Sequence, residues 1–209
     1  PPGRTRRDHG GTPAGRTLNI NLGSGQAAAS VRILVSVNKS TTTPKVKTLR
    51  TSTIDLVFTN ESKKTLPNAD IYSVDSVINM SNNLDETKLF GFFDGQRPNW
   101  YENGVLILKS GKNVNVTYRV TYSWFEHSMG DYFNVDSYGG LAREFIPTTS
   151  ETADRTLISL ADCLDFRPLK DGSGDVTPAT FNGDMVDPSD AVRFDLTYYL
   201  DRIDAIYLN

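Results

Sequence analysis

The chain has 209 residues, 38% hydrophobic and 22% charged, a balance that suits a folded globular protein and excludes a disordered polymer. No apolar run approaches the roughly 20 residues of a membrane-spanning helix, and no stretch has the layout of a secretory signal. The single cysteine, Cys163, excludes an internal disulfide and a multi-cysteine zinc site.

Net charge is −3 but unevenly spread. Residues 1–16 hold Arg4, Arg6, Arg7 and Arg16 against Asp8, a net of +3. Residues 151–209 hold twelve acidic and five basic side chains, a net of −7. The first segment, rich in Gly, Pro and Arg, lacks hydrophobic periodicity and reads as an extended arm. Such asymmetry predicts an arm that docks on the acidic surface of a neighbouring subunit. Nucleic acid is not an expected partner, because the rest of the chain would repel phosphate. Both ends are expected to continue into a longer polypeptide.

From residue 17 onward the pattern has a period of two. Val31, Ile33, Val35 and Val37 alternate with Arg32, Leu34, Ser36 and Asn38, and 53–59 and 71–78 read as further strands. The clearest signal is 114–124, where Val114, Val116, Tyr118, Val120, Tyr122 and Trp124 share one face. Val116, Tyr118, Val120 and Tyr122 are expected to point inward. Val105-Leu106-Ile107-Leu108 is apolar on both faces, as a central strand would be. Val192, Phe194, Leu196, Tyr198 and Leu200 repeat the alternation near the end.

Asp94-Gly95, Asn103-Gly104, Asp171-Gly172 and Asn182-Gly183 are turn dipeptides. Leu157, Leu160, Ala161 and Leu164 have helical spacing, but Pro168 follows soon after, so 157–164 reads as a short helix or an irregular strand. The predicted fold class is all-β: a β-sandwich, immunoglobulin-like or similar, with an extended N-terminal arm and a C-terminal β segment. The expected organisation is an arm over 1–16, a sandwich over 17–146, a linker over 147–155 and a C-terminal β segment over 156–209.

The chain offers little for catalysis. His9 lies in the arm, and His127 follows the 114–124 strand, where it reads as a strand-end loop histidine. A serine-hydrolase reading needs His127 as base, but no Gly-x-Ser-x-Gly elbow is present. Asp94, Glu102, Glu126 and Asp131 lie near Trp100, Tyr101, Trp124 and Tyr132, as a glycosidase pair would; cross-strand packing explains those aromatics more simply. Asp171-Gly172-Ser173-Gly174-Asp175 lacks the further ligands of a calcium loop. Cys163, among Leu160, Ala161 and Leu164, reads as a small core residue. No catalytic residue, cofactor or metal is expected.

Several stretches carry more than composition. Phe92-Phe93-Asp94-Gly95-Gln96-Arg97-Pro98-Asn99-Trp100-Tyr101 resembles a segment of large virion structural proteins from contractile-tailed bacteriophages. Tyr122-Ser123-Trp124-Phe125-Glu126-His127-Ser128 and then Gly130-Asp131-Tyr132-Phe133-Asn134-Val135-Asp136-Ser137-Tyr138 resemble another. Leu160-Ala161-Asp162-Cys163-Leu164-Asp165-Phe166-Arg167-Pro168 and Tyr198-Tyr199-Leu200-Asp201-Arg202-Ile203-Asp204 are similar to two more, in matching order. Pro98 stands where that family usually has Asp, and Asp201 where it usually has Pro.

The resemblance covers about residues 70–209 and implies a tail, baseplate or tail-fibre component of a virion, assembled in the host cytoplasm. It implies partners among other tail proteins and copies of the same chain, and no membrane insertion. The alternative is a tail-fibre adhesin in which Trp100 and Tyr132 stack on a host-surface glycan. The motif chemistry itself reads as structural. Asp94-Gly95 makes a tight turn, Gln96 and Arg97 donate to nearby carbonyls or carboxylates, and Asp165 pairs with Arg167 or Arg97.

Overall fold

The computed structural model describes residues 41–109, 113–150 and 157–170. The arm at 1–16, the strands expected at 31–37 and 192–200, the Asp171–Asp175 turn and Asn182-Gly183 lie outside them. The described residues are mostly strand, in antiparallel sheets, and the all-β class holds.

Strands β1 (Lys47–Glu61), β2 (Lys63–Ala69), β3 (Ile71–Asn79) and β4 (Leu84–Asp85) come first, followed by β5 (Phe90–Phe93), β6 (Asn103–Leu108) and β7 (Asn113–His127). Two short strands, β8 (Thr148–Ser150) and β9 (Leu157–Ser159), follow. One sheet has the order β1-β7-β3-β4, the second β2-β6-β5, and the third pairs β8 with β9. β8 therefore occupies part of the stretch expected as linker. The 157–164 segment, with its helical spacing, is β9 followed by a 3₁₀ turn, Leu160–Asp162.

The alternation in β7 does what a half-buried strand requires. Tyr118, Val120 and Tyr122 are fully buried, and Val116 and Trp124 are partly buried against the same cluster. β1 supplies Ile54, Leu56 and Phe58, and the second sheet supplies Leu66, Phe90, Leu106 and Leu108, so two sheets close over one core. β6 is central in its sheet, as its apolar run predicts, although Val105 and Ile107 are only half-buried.

On the opposite face, β1 and β7 match polar residues across the ladder. Arg119 holds Asp55 through Nε–Oδ1 at 2.8 Å and Nη2–Oδ2 at 2.9 Å, and the hydroxyls of Thr53 and Thr121 lie 3.1 Å apart. This pairing extends β1 well past the expected 53–59.

Two glycines behave differently from one another. Gly95 sits at φ +87°, and a Cβ there would meet the Glu102 carbonyl oxygen at 1.9 Å, so Asp94-Gly95 makes the expected turn. Gly104 corrects the other turn expectation, because it lies inside β6. Its role is close approach: a Cβ would stand 2.3 Å from Ile71 Cγ1.

Candidate functional site

At the β1/β7 end that carries Lys47 and His127, the outer face of the first sheet is covered by residues from 130–150 and 157–170. The register places Lys47 directly opposite His127, so both side chains leave the same face. Between β2 and β3 the chain turns at a single residue, Asp70, with φ +52°. Asp tolerates that left-handed conformation better than most residues. The Asp70 carbonyl accepts from the Phe125 amide at 3.0 Å, which fixes its carboxylate against β7.

These two stretches are stitched down by their own backbone. Asn134 and Ser137 form a reciprocal cap on the 3₁₀ turn Val135–Tyr138, which swings Tyr138 inward. Phe133 and Asp165 exchange backbone hydrogen bonds of 2.8 and 2.9 Å. Tyr101 donates its amide to Pro168 at 2.8 Å and accepts from Lys170 at 2.7 Å. Three distant stretches thus meet over Lys47 and His127.

What they enclose is a buried polar network. Lys47 Nζ donates to Asp70 Oδ2 at 2.7 Å and to the Tyr101 hydroxyl at 3.0 Å. His127 Nε2 lies 2.7 Å from Asp70 Oδ2, and Gln96 Nε2 lies 3.3 Å from Oδ1. The Tyr101 hydroxyl donates to Asp165 Oδ2 and accepts from Arg167 Nη2 at 2.8 Å. Its one hydrogen and two lone pairs are therefore all used. Arg167 grips Asp165 through Nε–Oδ1 at 2.9 Å and Nη2–Oδ2 at 2.8 Å, and Nη2 also reaches Gln96 Oε1 at 3.2 Å. Two cations, Lys47 and Arg167, thus face two carboxylates, Asp70 and Asp165.

Burial sets the electrostatics. It pushes the Asp70 carboxyl up, but the Lys47 charge and the His127 hydrogen bond more than offset that and hold it at about 2. Burial likewise raises Asp165, and Arg167 overcomes it, leaving the carboxyl below its ordinary value. His127 is pulled below its ordinary value by burial, against the raising effect of Asp70. With Asp70 ionised, the hydrogen between the two belongs to His127 Nε2. Burial pushes Tyr101 and Tyr138 well up, so both are neutral phenols. Lys45, packed over the Phe133 ring, is lowered by burial, partly offset by Asp165 and Asp131.

The neighbouring surface is a groove of ≈ 410 Å³ lined by Val46, Lys47, Leu49, Phe125, Tyr138 and Leu141. Among the described residues, the Tyr138 hydroxyl is the buried side-chain polar atom with no hydrogen-bond partner.

No family model matches the chain, and neither a curated protein nor a solved structure matches it.

The structure brings together only some of the residues singled out in the sequence. His127 is not in a loop: it ends β7, and its side chain is 3% exposed. Glu126, its neighbour, points the other way and holds Arg50 at the surface, Nη2–Oε2 2.9 Å. Glu102 accepts from Arg97 Nε at 2.6 Å and from the Trp100 indole at 3.1 Å. Asp131 caps the Thr43 amide at 2.7 Å, and Asp94 accepts from the Gln96 amide at 2.9 Å. Of the two arginines expected near Asp165, Arg167 is the partner. Cys163 is half-buried at the edge of the Phe125–Tyr138 cluster. Lys47 and Asp70 carry no sequence signal, because a lysine on a strand reads as solvent-facing.

Proposed function

We propose that the chain is a structural module of a bacteriophage tail, baseplate or tail-fibre assembly, acting by protein–protein contact within the virion. The observation that carries this reading is where the motif residues go. Gln96, Tyr101, His127, Phe133, Tyr138, Asp165 and Arg167 all come from the stretches that resemble tail proteins, and all converge on one interior network. What the resemblance shares is thus a set of contacts that fixes shape, as expected of a component whose task is to hold neighbours in place.

The charge arrangement supports the same reading. In the network Lys47 pairs with Asp70 and Arg167 with Asp165, a pattern that specifies one packing of the loops against the sheet. The adhesin alternative draws less support. Trp100 is already engaged by Glu102 and lies under Lys170 Nζ at 5.3 Å, and Tyr132 packs against Phe166 at 5.8 Å.

Antibodies raised against the purified chain test the proposal by immuno-electron microscopy of virions that carry it. Labelling of the tail or baseplate is the expected result. Absence from purified particles sinks it. Release of sugar from host polysaccharide by the purified chain, abolished by Glu126→Gln, would replace it with a hydrolase.

A further inference from the structure

Lys47 and Asp70 are an ion pair closed off from solvent. Their side chains are 0% and 1% exposed. The Lys47 ammonium lies 4.5 Å from the Tyr101 ring centroid, 4.7 Å from Phe133, 5.0 Å from Tyr138 and 5.7 Å from Phe125. Moving one proton from Nζ to Oδ2 turns the pair into an amine held against a carboxylic acid. Neutral groups are held at far less desolvation cost than ions in such surroundings. Contact at 2.7 Å, enforced by the fold, supplies the proximity that makes an intramolecular reaction effective.

We propose that the folded chain joins Lys47 to Asp70 through an intramolecular amide bond, an isopeptide cross-link made by its own side chains. The Nζ lone pair attacks Cγ, and negative charge develops on Oδ1, towards which Gln96 Nε2 already donates. The Tyr101 hydroxyl accepts from Nζ and donates to Asp165, so this pair orients the attacking nitrogen and stabilises the positive charge that develops on it. The C–Oδ2 bond then breaks as the nitrogen hands a second proton to Oδ2, its hydrogen-bond partner at 2.7 Å, while His127 Nε2 keeps its own proton and hydrogen-bonds the departing oxygen. One of the three ammonium hydrogens stays on the amide nitrogen. The other two leave with Oδ2 as water, so no oxidant, reductant or cofactor is needed.

The bond would tie the start of β1 to the β2–β3 corner, 23 residues away. The inference stands on this geometry alone and is independent of the tail reading.

Intact-mass measurement of the purified, denatured full chain tests it. The expected mass is one water below that of the sequence. In a tryptic digest, peptide 46–50 should remain joined to peptide 65–88, because trypsin does not cut after an amidated Lys47. Lys47→Arg should restore the full sequence mass, and Asp70→Asn should lose ammonia instead of water. Cyclisation at Asp94-Gly95 or Asp171-Gly172 also sheds water, so a loss mapped to those peptides overturns the proposal. So does a wild-type chain at full sequence mass with free cleavage after Lys47, before and after prolonged incubation at neutral pH. The wild-type result decides even if a variant fails to fold.

Discussion

Arg167 and Tyr101 are 66 residues apart, yet the Arg167 guanidinium both donates to the Tyr101 hydroxyl at 2.8 Å and lies 4.3 Å from the centroid of its ring. Two separate motif stretches are clamped through this pair. Tyr101→Phe keeps the ring and deletes the oxygen that serves Lys47, Arg167 and Asp165. Removing that shared buried partner from all three should cost about 1–3 kcal/mol. Arg167→Lys keeps the charge but loses the two-pronged grip on Asp165, and should not be neutral. Urea unfolding at unchanged slope reads both. A wild-type midpoint for either variant would mean the clamp contributes nothing.

The network also predicts how stability depends on pH. Burial, with the nearby Lys47 and Lys45 charges, lowers the folded His127 pKa below 6.5, and Asp70 offsets this only in part. Between the unfolded and folded values, the unfolded chain binds the extra proton. Stability present above about pH 6.5 is therefore lost as pH falls through that window. Asp165 acts lower down. Its folded carboxyl lies below 3.8, so its contribution is present above that value and disappears as pH falls through the folded one. His127→Gln, which retains an N–H for Asp70, should flatten the upper part of the acid limb and leave the lower part. Urea midpoints taken from about pH 7.5 down to about 3 separate the two. A wild-type midpoint unchanged from about pH 6.5 to 4.5 would show that His127 is not held neutral by burial.

Two glycines with positive φ should respond unequally to alanine. Gly139 is at φ +61° with open space around it, so Gly139→Ala should lose only the left-handed penalty, about 1–2 kcal/mol. Gly95→Ala adds to that penalty a Cβ 1.9 Å from the Glu102 carbonyl oxygen, and the displaced atom is backbone. It should cost more than about 2 kcal/mol, as strain at a constrained position does. Thermal melts of the two variants in parallel make the comparison. Equal losses would mean the 94–102 turn can shift freely.

How much of this was readable in the sequence depended on whether one strand carried the information alone. β7 did: Tyr118, Val120 and Tyr122 alternate because one face of that strand is buried, and period two reports burial directly. β1 was legible only in part. Its segment around Thr51, Ser52 and Thr53 is polar, and its strand character comes from hydroxyl and charge pairs contributed by β7. The network was the least legible. Lys47, Asp70, Tyr101 and Arg167 come from four separate segments; Lys47 and Asp70 alone read as surface or turn and Tyr101 as a packing aromatic, and only the Asp165–Arg167 pair was local enough to anticipate. Gly104 misled for a related reason, since its small size serves Ile71, 33 positions away in the chain.

The main core offers the last test. Tyr118 is fully buried, with edge-to-face contacts to Phe58 at 5.6 Å and Phe90 at 4.9 Å. Its hydroxyl donates to Glu86 Oε2 at 2.9 Å, and Glu86 is also held by Asn79 at 2.9 Å. The ring therefore matters more than the oxygen. Tyr118→Phe retains both aromatic contacts and leaves Glu86 one partner, so it should cost only about 1 kcal/mol. Tyr118→Asp deletes the ring and puts a charge among the apolar side chains of Phe58, Phe90 and Val77. A carboxylate buried in apolar surroundings together with the lost packing should cost more than about 4 kcal/mol, enough to unfold many domains of this size. Circular dichroism melts of the two variants check the order. If Tyr118→Asp melts within a degree or two of Tyr118→Phe, the inward face of β7 has been misassigned.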